Sequence, residues 1–450
     1  MIKLTESLAQ FVSEPPFEKI PAAAAAVVRQ GFIDTIATMI AGRNEPVVRI
    51  VGELVQTKSS AARDSSVLLG PGRAAAQDAA LINGTAAHAL DFDDVALAGH
   101  PSTVLVPALM AEGEASGASG AALMRSYLVG YELWAELISR EADPYHQKGW
   151  HPTGVFGTLA AAAAIANLRG LSVETARNAI GIAASMAGGL VANFGTMTKP
   201  FHAGRAASSG IEAVRLAVAG MTAAADAIEH HAGFLAAISP SGKVDLARSA
   251  QPLGHALRIL DSGLSVKKYP LCYASHRVID AVIDIARKEN LDVESVQSIH
   301  ATIGITQRSM LRNHTPVTGL EAKFSLEFAI ACALLARKVG LPELSDSFVN
   351  RAEVQALMKK VEISTVTTSC HIEPVFSYAD RVSIRLNTGK EFDSGDIRFA
   401  RGNLNFPLCD GELQEKFMGC LRGAEHLNAM TLYAQLASLE NISNIRSLAE

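Results

Sequence analysis

S-V-K-K-Y-P-L-C-Y-A-S-H, residues 265–276, is where this chain changes character. Upstream of it, apolar residues recur at spacings of three and four in 23–41, 104–117, 121–140, 155–168, 172–192 and 207–227, the period of helices that bury one face. Small residues in these stretches let helices pack closely; Gly170 ends one helix and Ser172 is placed to cap the next. Downstream the period shortens to two. Residues 298–306 and 360–365 alternate as half-buried strands do, and Val382, Ile384 and Leu386 set against Arg381, Ser383 and Arg385 form a third strand. Asn387-Thr-Gly389 supplies a hairpin turn into 390–392, and helices are predicted near 275–289, 321–339 and 351–359. The last 45 or so residues read as helix again. The expected fold is therefore mainly α: an all-helical domain made of 1–265 and 402–450, with an α+β insert over 266–401. Such an insert is expected to act as a lid, with the functional cleft beside it.

At 450 residues, 49% of them hydrophobic, the chain has enough apolar material for large cores. Charged residues make up 19%, below the usual share of about 25%, so a homodimer that hides further surface is expected. The net charge of −5 and the lack of any basic run argue against a nucleic-acid partner. The first residues read as an amphipathic helix behind a Thr5 cap rather than an apolar leader, which suggests a cytoplasmic protein. Residues 178–198 are uncharged, but Asn178, Ser185, Asn193 and several glycines break the apolar run, so a packed internal helix fits better than a membrane span. Five scattered cysteines without a C-x-x-C pair fit a reduced compartment and no iron–sulfur cluster.

Ionisable residues are concentrated in islands. N-G-T-A-A-H-A-L-D-F-D-D-V-A-L-A-G-H-P-S-T, residues 83–103, holds three aspartates and two histidines amid Ala, Gly and Val. On a helix Asp91 and Asp94 would share one face and Asp93 would point elsewhere. Paired carboxylates resist joint ionisation, which outlines an acid–base site. The alternative is a capping Asp91 with Asp93 and Asp94 solvated. His88 and Asp91 have a helical metal spacing, but two ligands do not make a metal site. Tyr145 to Thr153 places His151 before Pro152 and a helix start, a setting that suits an anion. Gly195 to Arg205 brings Lys199, the first charge after the uncharged stretch, together with His202. Desolvation would make Lys199 a base or a carboxylate anchor. The junction itself contributes Lys267, Lys268, Cys272 and His276, with Cys272 either a proton-transfer thiol or an inert buried one. Lys323 is a further candidate to meet a substrate carboxylate. No Ser-His-Asp elbow and no dinucleotide fingerprint accompanies these groups, so proton chemistry on a small anion, without cofactor or metal, is the expected activity.

The motifs H-A-L-D-F-D-D, G-H-P-S-T, Q-K-G-W-H-P-T-G, T-K-P-F-H-A-G-R and K-K-Y-P-L-C-Y-A-S-H, in this order along nearly the whole chain, resemble the MmgE/PrpD family. That family includes 2-methylcitrate dehydratase, cis-aconitate decarboxylase and iminodisuccinate epimerase. The resemblance implies a two-domain homodimer acting on small polycarboxylates without a metal. It carries catalytic roles to Asp91, His100, His151, Lys199 and Lys267, and Cys272 joins them as a candidate. Asp94, Tyr145, His202, Lys268, His276 and Lys323 are expected to line the substrate. Two positions depart from the decarboxylase pattern: Cys272 stands where that pattern has histidine, and Phe328 where it has tyrosine. These departures point away from decarboxylation. Chain length and Cys272 favour an epimerase of the iminodisuccinate type over a 2-methylcitrate-type dehydratase, and a silent binding protein is the remote alternative.

Overall fold

A computed structural model describes residues 3–17, 19–57, 62–250, 253–373 and 375–448. They form two compact units: Met1–Ser265 joined by Cys409–Glu450, and Val266–Leu408.

Seven helices of the first part frame the larger unit: α1 (Ala22–Gly42), α2 (Ala76–Ala89), α3 (Ser102–Ser116), α4 (Gly120–Ile138), α5 (Pro152–Leu168), α6 (Val173–Met186) and α7 (Thr198–Val218). α5 is buried all round, as its P-T-G-V-F-G-T-L-A-A-A-A-A-I-A-N-L sequence demands, and α3, α4, α6 and α7 pack around it. Two glycines set the closest approach. A methyl on Gly84 of α2 would lie 2.8 Å from the Gly204 Cα of α7, and one on Gly204 would overlap the Leu81 carbonyl. These two helices therefore touch backbone to backbone, which bulkier residues would prevent. α1 alone among the described helices is long and apolar enough to cross a membrane, but 67% of its most apolar window is buried inside the unit, as for a core helix.

Three expectations need correction here. The helix expected over 172–192 stops at Met186, and 187–197 form an irregular, largely half-exposed loop with one 3₁₀ turn at Val191–Asn193. Glycines at 188, 189 and 195 end the helical run, and Gly189 and Gly195 adopt φ of 142° and 83°. The helix expected over 207–227 begins instead at Thr198, because Pro200 sits in its first turn, where a missing N–H costs nothing. Thr5 is not a cap. It lies inside the helix Leu4–Ser13, where its hydroxyl hydrogen-bonds the Glu229 carboxylate.

The second unit carries a four-stranded sheet of β1 (Val296–Gly304), β2 (Val361–Val366), β3 (Arg381–Leu386) and β4 (Glu391–Asp393), in the order β2-β1-β3-β4. β1 runs parallel to β2, so the chain between them must cross over, whereas β3 and β4 form an antiparallel hairpin. Ile299, Ala301 and Ile303 of β1 and Val382 and Ile384 of β3 share one core with α8 (His276–Lys288) and α9 (Leu326–Ala336). The helix expected over 321–339 is divided: Ser325 caps α9 by accepting the Phe328 N–H at 3.1 Å, and a separate short helix spans Gly319–Ala322. The unit extends to Leu408 rather than 401. Its first residue holds the extra length, since the Val266 N–H donates to the Gly402 carbonyl at 2.9 Å and the Asn403 amide reaches Tyr273 and Glu373.

Inside this unit Asp380 is buried, accepting Ser377 Oγ at 2.5 Å and Gln307 Nε2 at 2.9 Å. Burial pushes its carboxyl up to about 6 against the pull of Arg277. The protonated form is thus favoured in the fold: the stability it supplies is full below about pH 4 and is lost as pH rises through about 6. Asp380→Asn is expected to flatten that part of the stability curve, a difference of about 3 kcal/mol at neutral pH, read by chemical denaturation from pH 4 to 7.

The chain then returns to the helical unit through α10 (Asp410–Cys420) and α11 (Ala429–Ala437).

Candidate active site

The centre of the helical unit is the segment after α2. The helix does not continue through the aspartates, as the shared face of Asp91 and Asp94 had required. It ends at Ala89, and Asp91 adopts a left-handed φ of 52° with its N–H on the His88 carbonyl at 3.1 Å. Glycine is the usual residue at this position; an aspartate there is held by its surroundings. The reversal separates the three carboxylates. Asp91 faces the accessible side with 21% of its side chain exposed, while Asp93 and Asp94 are wholly buried.

Asp91 Oδ1 accepts Lys199 Nζ at 2.7 Å. This pair follows from the glycine crossing, since Asp91 follows the C-terminus of α2 and Lys199 opens α7 at the same end. The Lys199 ammonium also lies 5.3 Å over the Phe194 ring. Behind the pair, Asp93 is gripped by two imidazoles: Oδ1 lies 2.9 Å from His88 Nδ1 and Oδ2 lies 2.6 Å from His100 Nδ1. Burial alone would raise Asp93, but the two histidines outweigh it and hold the carboxyl well below its ordinary range. Burial also pushes His88 down to about 3, so it stays neutral and donates Nδ1–H to the carboxylate. His100 is held in the same tautomer, for its Nδ1 is also 3.0 Å from the Asp94 carbonyl. Its Nε2 faces the Asp91 side, 3.9 Å from Asp91 Oδ1. A tight turn positions the ring: Ala96 and Gly99 exchange backbone hydrogen bonds around Leu97 and Ala98, both at left-handed φ, and a methyl on Gly99 would strike Trp134 at 2.8 Å.

His151, just ahead of α5, completes the wall. Its ring is 6.1 Å from that of His88, and its Nδ1 is 3.1 Å from Nδ1 of His202 on α7. Burial, and then the Lys199 charge, lower both His151 and His202, so one neutral ring donates to the other. Asp91, His100, His151, Lys199 and His202 thus converge.

Asp94, expected to line the substrate, has no exposed surface, and burial together with the neighbouring Asp34 charge raises it well above the ordinary range. Tyr145 is also buried, its ring edge-on to Phe156 at 4.8 Å. Lys267, Lys268, Cys272, His276 and Lys323 belong to the other unit. There His276 is buried with Nε2 3.1 Å from the Leu271 carbonyl, the partly exposed Cys272 bonds the Lys323 carbonyl through its N–H, and Lys267 is buried. Reading the sequence missed Asp93 as the orienting group, because it assumed an unbroken helix, and missed Asp34, although a lone acid in F-I-D-T-I was a visible signal.

Among the described residues, His88, Asp91, Asp93 and His100 offer ligand atoms within 4.8 Å of one another, a set that invites a metal. The groups present fit a different cation. Asp91 is already paired with the Lys199 ammonium, and both Asp93 oxygens lie against imidazole nitrogens, Oδ1 hydrogen-bonded to His88. Dialysis against a chelator is therefore expected to leave turnover unchanged; a loss restored by a divalent cation would assign the quartet to a metal.

Residues 6–247 match the MmgE/PrpD N-terminal domain and 269–433 the MmgE/PrpD C-terminal domain. The chain is 32% identical over 356 residues to the cis-aconitate decarboxylase of Homo sapiens, covering 75% of this chain and 71% of that protein. It is 31% identical over 392 residues to the cis-aconitate decarboxylase of Mus musculus, covering 82% and 78%. A cis-aconitate decarboxylase-like protein of Aspergillus oryzae is 25% identical over 448 residues, covering 92% and 89%. With both domains matched over most of its length, the chain belongs to the MmgE/PrpD family.

Proposed function

We propose that the protein is a lyase of small tricarboxylates that works by proton transfer between its own side chains, with cis-aconitate the first substrate to try. The observation that carries this reading is the Asp93–His100 dyad beside the Lys199–Asp91 pair: an oriented imidazole adjoining a cation that can bind a carboxylate. Two of the relatives named above are cis-aconitate decarboxylases and the third is named as decarboxylase-like. They move the reading from the epimerase suggested by Cys272 to a lyase. Cys272 and Phe328 still depart from the decarboxylase pattern, within a chain 32% identical to a cis-aconitate decarboxylase.

In the proposed step Lys199 exchanges part of its contact with Asp91 for a substrate carboxylate. The bond from carbon to the departing carboxylate breaks, and its electron pair forms a new carbon–carbon double bond. The displaced π pair takes a proton from His100 Nε2, so carbon dioxide leaves and a dicarboxylate remains. Asp93 and Asp91, on either side of the imidazole, stabilise the proton it must carry between turnovers. A second reading, loss of water from a hydroxy tricarboxylate, uses the same groups in reverse, His100 taking the α-proton; the departures at Cys272 and Phe328 favour keeping it.

Incubation in D2O with cis-aconitate, citrate, 2-methylcitrate and iminodisuccinate, followed by NMR and carbon dioxide release, separates these readings. Release of carbon dioxide with one solvent deuteron in the product is expected. Formation of an alkene from citrate or 2-methylcitrate would move the assignment to dehydratase. Inversion without loss of any group would overturn the lyase reading.

A further inference from the structure

We propose that Lys416, on the returning helix α10, is a positioning residue that fixes the Asp91–Asp94 turn from behind. Its side chain is buried, and Nζ donates to the Phe92 carbonyl at 2.7 Å, lies 2.5 Å from Asp34 Oδ1 of α1, and sits 4.0 Å over the Phe92 ring. Phe92 is the residue between the acid that pairs with Lys199 and the acid that orients His100. One ammonium therefore ties the midpoint of the catalytic turn to the core.

Neutralising Asp34 does not by itself require this arrangement, since a buried ion pair can usually be replaced by apolar side chains at little cost. The turn has the more specific need. Asp91 holds a left-handed φ, a conformation an L-residue keeps only when its surroundings hold it. The contacts that hold the turn include the Asp91 N–H on the His88 carbonyl, Lys199 on the Asp91 carboxylate, the Asp94 backbone on the Asp34 carboxylate, His100 Nδ1 near the Asp94 carbonyl, and Lys416 on the Phe92 carbonyl. Without Lys416 the buried Phe92 carbonyl loses this donor, and the peptide between the two acids loses one of the contacts that fix its orientation. This inference rests on the reading of Asp91 and His100 as reacting groups.

Lys416→Met alone would strand the Asp34 charge, so the test uses double variants. Lys416→Met with Asp34→Asn removes the charge pair and the donor together. Lys416→Gln with Asp34→Asn removes the charges but keeps an N–H for the Phe92 carbonyl. Amide hydrogen exchange of peptides spanning 88–104 is compared with peptides from α5, and kcat and KM are measured for cis-aconitate.

The Met double variant is expected to exchange about tenfold faster across the turn alone. Its kcat should fall by about 10²-fold with KM little changed, as for a displacement of order 1 Å at the reacting groups. The Gln double variant should recover both. Wild-type exchange and kcat in the Met variant would overturn the proposal, as would a Gln variant as impaired as the Met one. Failure of both to fold would assign Lys416 to the core and overturn it too. Should the wild-type protein leave cis-aconitate untouched, the functional reading fails, while the exchange data still decide the role of Lys416.

Discussion

Asp93→Asn is expected to lower turnover by about 10²–10⁴-fold, the range found when a general base is lost or forced into the wrong tautomer. The carboxylate lies against two imidazoles, hydrogen-bonded to His88 Nδ1 at 2.9 Å and 2.6 Å from His100 Nδ1. An amide presents one acceptor and one donor group, so it can satisfy only one of them in the present tautomer. The ring facing the amide N–H must move its proton to Nε2, and if that ring is His100 it also loses the carboxylate that stabilises its charged, proton-donating form. The variant also loses a pH-dependent contribution to stability. Because Asp93 is held well below its ordinary range, its ionised form stabilises the fold above about pH 4, and that stabilisation fades as pH falls through the lowered value. Carbon dioxide release measures the first effect and acid denaturation the second. Unchanged turnover in a folded Asp93→Asn protein would remove the dyad from the mechanism.

Gly204→Ala should be the most damaging substitution of a single hydrogen by a methyl. Its Cβ would overlap the Leu81 carbonyl and Thr85 Oγ1 and lie 2.8 Å from the Thr85 N, all in helix backbone or in a side chain locked at 2.7 Å on Leu81. None of these can step aside without moving α2. A cost of about 1–3 kcal/mol is expected from overpacking. Activity should fall further than stability, because the same crossing delivers Lys199 to Asp91 at 2.7 Å. Thermal melting beside turnover at a temperature where the variant stays folded checks both parts. If turnover falls only in proportion to the folded fraction, the crossing does not set the ion pair.

The fold class was legible in the sequence because hydrophobic period is a local property. Runs such as Pro152–Leu168 and the alternation at Arg381–Leu386 announce themselves within one element. What escaped were breaks that depend on conformation. Leu90 and Asp91 look like a continuing helix until the left-handed φ of Asp91 is known, and Thr198-Lys-Pro looks like a stop although it is a start. Among the site groups, Asp91, His100, His151 and Lys199 stood out as ionisable residues in apolar surroundings, and the structure gathers them. The pairing of Asp34 with Lys416 could not be read, since nothing local in either α1 or α10 names its partner. Lys267, Cys272 and Lys323 all belong to the inserted unit, where the Cys272 N–H meets the Lys323 carbonyl.

The helical unit is assembled from both ends of the chain, Met1–Ser265 and Cys409–Glu450. During synthesis its first part emerges with Asp34, Asp91, His100, His151 and Lys199 already present, but without α10. At ordinary translation speed on the order of ten seconds pass while the inserted unit is made. Throughout that interval the Asp34 carboxylate has no ammonium to meet and Phe92 has no clamp. On the proposed reading, the nascent chain carries Asp91, His100 and Lys199 before the helix that meets Asp34 and Phe92 exists, and activity is expected only once its last helices are released.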